Sequence, residues 1–386
     1  MQTYNSSTIY YIACFVFLFI AAVEFYTKNA KIKNLMSFLS TLCFILFWAP
    51  RGYLFSDWSN YEPFYQSVCQ SSLGQLLSKR EFEIGFIVLL KIFSFITEDY
   101  LILQFISTCL IVIILCVIFR KITHYPSLCW FFFFLTGIEL FDTFRNLIST
   151  AICFISLNLL LEKKFLKYSL AVSFASLFHI SALIFIPLQF FLIKEYNRKI
   201  LVLILLLGTI CYLFVFSPLD FIMEAAKSFS ENFARYFTNH YQDSFIPRSI
   251  GRLLWVGVCV VVLFFREQIK KDNKYFVIVL NLFLLNMFTI LFLNSNGEIQ
   301  RRFSMIFVLS VPLIMPMLLN TKIKILHTFV KLVAVFYAVR VPGAYSNFRF
   351  YYENYLFQKE IMSFEERYDL LQMYNIENER ATRPNK

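Results

Sequence analysis

The residues of this chain that could do chemistry are few, and most stand beside or inside apolar runs. ELFDTFRN places Glu139, Asp142, Arg145 and Asn146 between two hydrophobic stretches. Charge at membrane depth is costly and is retained where it faces a cavity or a partner. Asp142 and Arg145 are three apart, so they can simply pair on one helical turn. The functional alternative is a cation at the mouth of a membrane cavity, where an anionic headgroup would sit. His179 lies in SLFHISALIFIP; on an apolar helix it is either a hydrogen-bonded core residue or a base. NGEIQRRF carries Glu298, Arg301 and Arg302, and arginine's planar fork suits phosphate oxygens. Arg51, Asp57 and Tyr61, with Glu83 further on, combine carboxylates and rings of the kind that hold sugars. The plain alternative is an interfacial aromatic belt with ordinary surface acids.

Absences narrow the chemistry further. There is no phosphate loop and no glycine-rich dinucleotide turn, and glycine is only 9 of 386 residues. The nine cysteines are scattered through apolar runs without metal spacing, so they read as small apolar residues. No cofactor and no metal site is expected. No long soluble segment exists to bind a nucleotide sugar, so an enzyme of this kind would take its substrate through the lipid.

The elements that must position these groups follow from composition. Apolar residues make up 59% of the chain and charged residues 16%, against roughly 45–50% and about 25% in a soluble domain. Such a chain cannot cover its surface with polar groups. It reads as an all-α polytopic integral membrane protein with roughly 10–12 transmembrane helices. The net charge of +11 is not gathered into a nucleic-acid-binding face. It lies in short loops such as Lys28, Lys31 and Lys33, as orientation by the positive-inside rule requires.

Apolar runs fall at about 8–26, 35–50, 100–119, 128–142, 146–161, 200–217, 250–265, 275–293 and 303–319, with weaker ones at 81–96 and 323–340. With 27–34 inside, 51–80 is outside and the basic loop 120–127 is inside again. An odd number of crossings is then needed between 80 and 120, so the weaker 81–96 is expected not to cross. The segment 166–193 has lysines or arginines at both ends. Either it breaks the rule or it turns back within the membrane near His179. Residues 1–340 form one transmembrane domain with outer-face loops at 51–80, 218–249 and 294–302. In the second of these, Ser217-Pro218 followed by Phe221, Ala225, Phe229 and Phe233 suggests an amphipathic surface helix. Residues 341–386 form a polar and aromatic tail with a short helix near 359–373. No internal repeat of the transporter kind is found.

These motifs, taken together, resemble the EpsG-like family of polysaccharide polymerases, the group that includes many Wzy-type O-antigen polymerases. The matching stretches are APRGYLFSDWSNYEPFY, FEIGF, FRNLISTAI, EKKFLKYSLAVSFASLFHISALIFIP and GEIQRRFS, spread over about 45–315. Asn146 stands where the family often has Gln, and Ile84 where it often has Pro; the charged residues are intact. The resemblance implies a GT-C-like, lipid-sugar-dependent glycosyltransferase of the bacterial inner membrane, with its site facing the periplasm. Such enzymes join undecaprenyl-diphosphate-linked oligosaccharides, donor and acceptor, without nucleotide sugar. It also admits a chain-length regulator and a flippase as partners, besides membrane lipids and with no nucleic acid. Arg145 and Arg301, with Arg302, Arg51 or Arg248 beside them, are then expected at the donor's diphosphate, so no metal is required. His179 leads as base or orienting partner for the acceptor hydroxyl, with Asp57 and Glu83 behind it. Tyr61, Asn146 and Glu298 complete the substrate-binding set. The rivals are a flippase of lipid-linked oligosaccharides and an acyltransferase with an intramembrane histidine.

Overall fold

The computed structural model describes residues 7–214, 216, 218, 250–293, 297–345, 351–358 and 361–382. Those residues form helices, with one isolated bridge between Arg51 and Asn354 in place of a sheet. The chain is therefore an all-α, polytopic membrane protein. Among the described residues, five helices are long and apolar enough to cross a bilayer: α1 (Ser7–Tyr26), α2 (Ala30–Trp48), α6 (Tyr100–Ile122), the pair α8 (Phe144–Ile155) and α9 (Leu157–Leu161), and α18 (Lys324–Ala344). A sixth candidate, Gln300–Phe307 with Ser310–Leu319, is bent by 45°. Other apolar helices are only 10–17 residues long. The expected surface helix over 218–249 lies, past Pro218, outside the described residues.

The chain divides into two compact units, Met1–Pro187 with Ile323–Lys386, and Leu188–Lys322. The first has two chemically distinct ends. At one, Arg120 of α6 donates to Asn34 Oδ1 (3.3 Å), and Lys121 donates to Ile155 O (3.2 Å) and Asn158 Oδ1 (3.1 Å). Lys331 of α18 lies 4.8 Å from the Tyr26 ring centroid at the same end. Arg120 and Lys121 sit in the last turn of α6, and Lys121 also meets the last carbonyl of α8, where helix dipoles favour cations. The opposite end holds Arg51, Asp57, Glu83 and Asp142. Because α18 runs antiparallel to α1, with Tyr11 Oη donating to Val339 O (2.9 Å), the C-terminal tail also emerges at this second end. Its helix, α19 (Phe364–Thr382), starts later and runs further than the expected 359–373.

Between the ends the core is aromatic. Phe44 packs on Trp130 (4.7 Å), Phe133 (5.6 Å) and Phe141 (5.9 Å). α7 (Pro126–Thr136) is buried on every face from Pro126 to Leu135, as its all-round apolar sequence requires. It ends at Gly137, where a 3₁₀ turn (Ile138–Phe141) takes over, so the run 128–142 is not one continuous helix.

Both sequence conflicts have a structural answer. α5 (Ile84–Phe93) is ten residues long, about 15 Å, against a hydrocarbon core of about 30 Å. It lies along α3 (Trp58–Gln70), with Phe86 beside Tyr61 (5.8 Å) and Lys91 Nζ donating to Val68 O (3.0 Å). α4 (Leu73–Lys79), with a Ser72–Gln75 capping box, makes the return. The loop 51–80 is thus mostly helical. At 166–193, α10 (Phe165–Ser176) climbs along α8, the chain breaks at Leu177–His179, and a 3₁₀ turn (Ile180–Ile184) leads back down α8. Ser149 meets His179 O (3.4 Å), and Phe154 meets Phe185 (6.4 Å) further down. Of the two alternatives read from charge, the reversal is the one seen.

The second unit is built on α12 (Arg198–Leu213), α13 (Ile250–Phe264) and α15 (Phe276–Phe292), with α11 (Phe185–Leu192) leading in. Asn281 Nδ2 donates to the carbonyls of Leu192 and Lys194, both at 2.8 Å. Gly208 lets α12 approach α15, where a Cβ would meet Leu291 Cβ at 3.0 Å. The short α14 (Arg266–Asp272) carries Lys270, which pairs with Glu195.

Glu24 ties the first unit together from inside. Fully buried on α1, it accepts the Ser127 amide (3.0 Å) at the start of α7. Glu24→Gln should keep this acceptor and the stability of the protein. Glu24→Leu strands a buried amide and costs about 1–3 kcal/mol, read as a lower thermal midpoint in detergent.

Candidate active site

Arg145 occupies the first turn of α8, a position where a cation opposes the helix dipole. It is held there by partners from far along the chain. Its Nη1 pairs with Glu83 Oε2, and its Nε donates to Tyr61 Oη (3.4 Å). The guanidinium also lies 4.6 Å from the Phe82 ring centroid and 5.7 Å from that of Phe86. Each side chain of the pair is 21% exposed, so the cation stays reachable. A guanidinium beside the first amides of a helix concentrates positive potential, the arrangement that attracts an anion.

Glu83 has two jobs. It precedes α5, and its second oxygen accepts the Ile180 amide (3.3 Å) from the reversal after α10. Gly85 makes that meeting possible, because its amide donates to Leu177 O (2.8 Å). A Cβ on residue 85 would meet Leu177 Cβ and Leu177 O, each at 2.8 Å. FEIGF is thus the seat on which the His179 turn rests.

His179 is half-buried at that turn. Its Nδ1 accepts the Ser181 amide (3.2 Å) and lies 2.7 Å from Ser181 Oγ. An amide hydrogen can only be given, so the neutral ring carries its own proton on Nε2. Ser181 Oγ is 3.4 Å from Asn146 Oδ1, which also accepts from Thr150 Oγ1 (3.2 Å). Asn146 is thereby a buried link between α8 and the histidine turn.

Asp142 and Asp57 form the other wall. Asp142 Oδ1 accepts the amides of Ser56 (3.1 Å) and Asp57 (2.6 Å), and Oδ2 accepts from Ser56 Oγ (3.3 Å). Its carboxylate therefore grips the loop before α3. The Asp57 carboxylate accepts from Tyr61 Oη (3.5 Å). Burial pushes the Tyr61 phenol above its usual range, Asp57 adds to this and Arg145 opposes it, so Tyr61 stays a neutral donor.

Arg51 is not among these groups. It is 3% exposed, and its Nη1 donates to Trp48 O (2.9 Å) and Thr108 Oγ1 (3.0 Å) between the rings of Trp48 and Phe141. Burial pulls its guanidinium down to about 10, against the influence of Tyr100 and Asp142. It lines a cavity of ≈ 30 Å³ with Tyr61, Tyr100, Gln104, Asp142 and Phe144, room for about two waters. Arg301, half-buried, and Arg302, exposed, lie on the second unit's α16 (Gly297–Phe307). Glu298 is on the same helix with its side chain outside the described residues, as is Arg248 entirely. The structure thus brings together Asp57, Tyr61, Glu83, Arg145, Asn146 and His179. Sequence reasoning gave no role to Ser181 or Phe82 and did not foresee the Gly85–Leu177 contact. It noted Asp142 without its amide partners, which lie some 85 residues away. Among the described residues no group of histidine, cysteine or carboxylate side chains could hold a metal ion.

The helical membrane scaffold thus presents a cation, carboxylates and aromatic rings at one end of the first unit. Residues 34–358 match the EpsG family, and the chain belongs to that family of EpsG-like polysaccharide polymerases. Nothing among curated proteins or solved structures matches it.

Gly85→Ala separates the seat from the histidine turn. Polymer yield should fall about tenfold or more, since small misplacements at a site carry such costs, while the protein still accumulates on a blot of the membranes.

Proposed function

We propose that this chain is a polymerase that joins undecaprenyl-diphosphate-linked oligosaccharide repeat units on the outer face of the bacterial inner membrane. The observation that carries the reading is the convergence of Arg145, Glu83, Tyr61, Asp57, Asn146 and His179 at the end of the first unit opposite its basic loops. The positive-inside rule puts basic loops in the cytoplasm, so this end faces out. The family membership supports the polymerase class.

In the reaction the acceptor hydroxyl oxygen bonds to C1 of the donor sugar as the bond from C1 to the diphosphate oxygen breaks. The bonding pair leaves with the undecaprenyl diphosphate. Negative charge grows on that leaving group, and fixed donors aimed at it lower the barrier. Arg145 and the first amides of α8 supply those donors. Glu83 on Nη1 and Tyr61 on Nε keep the guanidinium aimed, and its remaining N–H groups take the diphosphate as the donor arrives. The Ser181 amide on Nδ1 makes the other ring nitrogen of His179 an N–H donor, so we assign the hydroxyl proton to Asp57 in place of the histidine expected from sequence, with Tyr61 and the His179 N–H orienting the acceptor. Arg301 and Arg302 are assigned the same class of anionic ligand as Arg145. Arginine supplies the positive charge, so the scheme needs no metal.

Replacing Arg145 by Ala in the native host tests this directly. Extracted surface glycan run on a gel should lose its ladder and keep a band bearing a single repeat unit, with the protein still present on a blot. Loss of every repeat-bearing band would point to a flippase instead. An unchanged ladder would reduce Arg145 to a structural ion pair.

A further inference from the structure

We infer that the C-terminal helix α19 is a positioning element of this site and that it acts through Arg367; the activity readout rests on the polymerase reading. The family match ends at residue 358, before α19 begins at Phe364. The helix lies beyond the matched residues, and the contacts it makes are with the site's own frame.

Two routes lead from α19 to the catalytic loop. The first is polar. Arg367 is 1% exposed, its Nη2 donates to Tyr351 O (2.9 Å), and its guanidinium lies 5.3 Å from the Tyr351 ring centroid. It also exerts an attractive charge on the buried Glu353. Glu353 accepts the Met362 amide (3.0 Å), and its carbonyl accepts the Gly52 amide (3.0 Å). Tyr355 N donates to Pro50 O (3.1 Å), and Asn354 bridges Arg51. Asn354 Nδ2 reaches Leu46 O (3.2 Å), and Tyr352 Oη bonds Phe47 O. The stretch 351–355 is thus laced to 46–52, and the loop that follows ends at Asp57.

The second route is apolar. Phe364 meets Trp58 edge-on (5.3 Å) and Tyr53 (6.0 Å). Leu371 is buried in the same cluster as Tyr53, Trp58, Tyr61 and Phe86. α19 therefore presses on the outer side of α3, whose first turns carry Asp57 and Tyr61. Asp142 grips this loop through the Ser56 and Asp57 amides, while Phe364 of α19 packs on Tyr53 and Trp58. A buried guanidinium left out of the pair interactions would be costly, so Arg367 has a single stable seat and transmits it to α3.

The test uses full-length protein purified into lipid nanodiscs, with lipid-linked repeat units as substrate. Arg367→Met removes the fork but keeps the bulk. Turnover should fall about tenfold with KM for the repeat unit unchanged, the pattern of an interaction needed at the transition state. Because Tyr351 O and the buried Glu353 lose their partner, the thermal midpoint should fall, and turnover is therefore read well below it, where the variant stays folded. Arg367→Lys keeps the charge without the planar fork and should recover part of the turnover. A turnover unchanged in Arg367→Met, or a loss that follows the unfolded fraction, overturns the proposal.

Docking is read separately, without activity. Met373→Cys on α19 and Gln75→Cys on α4, both exposed, should react with a membrane-impermeant maleimide added outside intact cells. Lys31→Cys at the basic end should react only after permeabilisation. Labelling of position 373 together with 31 would overturn the docking of α19. A wild-type protein that makes no polymer would defeat the functional reading, while the labelling pattern still decides where α19 lies.

Discussion

A guanidinium on the first turn of a helix, in a largely apolar setting, must be stabilised by something other than the helix itself. The dipole of α8 works against Arg145, and desolvation works against any charge held there. Glu83 offsets both. To reach Arg145, Glu83 must be brought across 62 residues of chain, and three irregular features of the first unit serve that meeting. α5 is short and lies along α3, so its leading end falls beside Arg145. Gly85 lets the same end touch Leu177. The reversal after α10 then delivers the Ile180 amide to the carboxylate's other oxygen. One ion pair thus joins three segments distant in sequence.

The membrane makes such an arrangement possible and also restricts it. Backbone that breaks at membrane depth is tolerated where protein surrounds it or a wet cavity adjoins it. The break at Leu177–His179 satisfies this through Gly85, Ser149 and Glu83. The loop 51–57 satisfies it through Asp142, whose carboxylate takes two of its amides, and through the C-terminal stretch 351–355. A buried Arg51 fixes the start of that loop from within. Arg51 and Arg145, at the same end of the first unit, therefore differ in kind. Arg51 is enclosed by Trp48, Thr108 and Phe141, whereas Arg145 remains partly open beside Tyr61 and Phe82.

Much of this was legible in the chain itself. Composition alone defines a helical membrane protein, and the basic loops order its ends. The parity conflicts at 81–96 and 166–193 pointed to the two segments that prove short or reversed, because charge bias reports crossings rather than helices. FRN and FHIS marked Arg145 and His179. The partners were not legible. Asp142 and Arg145 are one helical turn apart in sequence, yet the carboxylate grips the amides of Ser56 and Asp57 and the guanidinium takes Glu83. Spacing within a helix states which groups can pair locally and is silent on long-range competitors. Arg51 looked like its fellow arginines because burial by Trp48 and Phe141 depends on packing. The tail's return to the site end hinged on whether the weakly apolar run carrying His327 and Lys331 formed a full-length helix, which it does.

The most direct measurement is a reconstitution with purified protein and synthetic diphosphate-linked repeat units in proteoliposomes containing EDTA. Each glycosidic bond formed should release one undecaprenyl diphosphate, and both products should vanish together when Arg145 is replaced. Movement of the lipid-linked oligosaccharide across the bilayer with no bond formed and no diphosphate released would contradict this. So would activity that appears only when a divalent ion is restored.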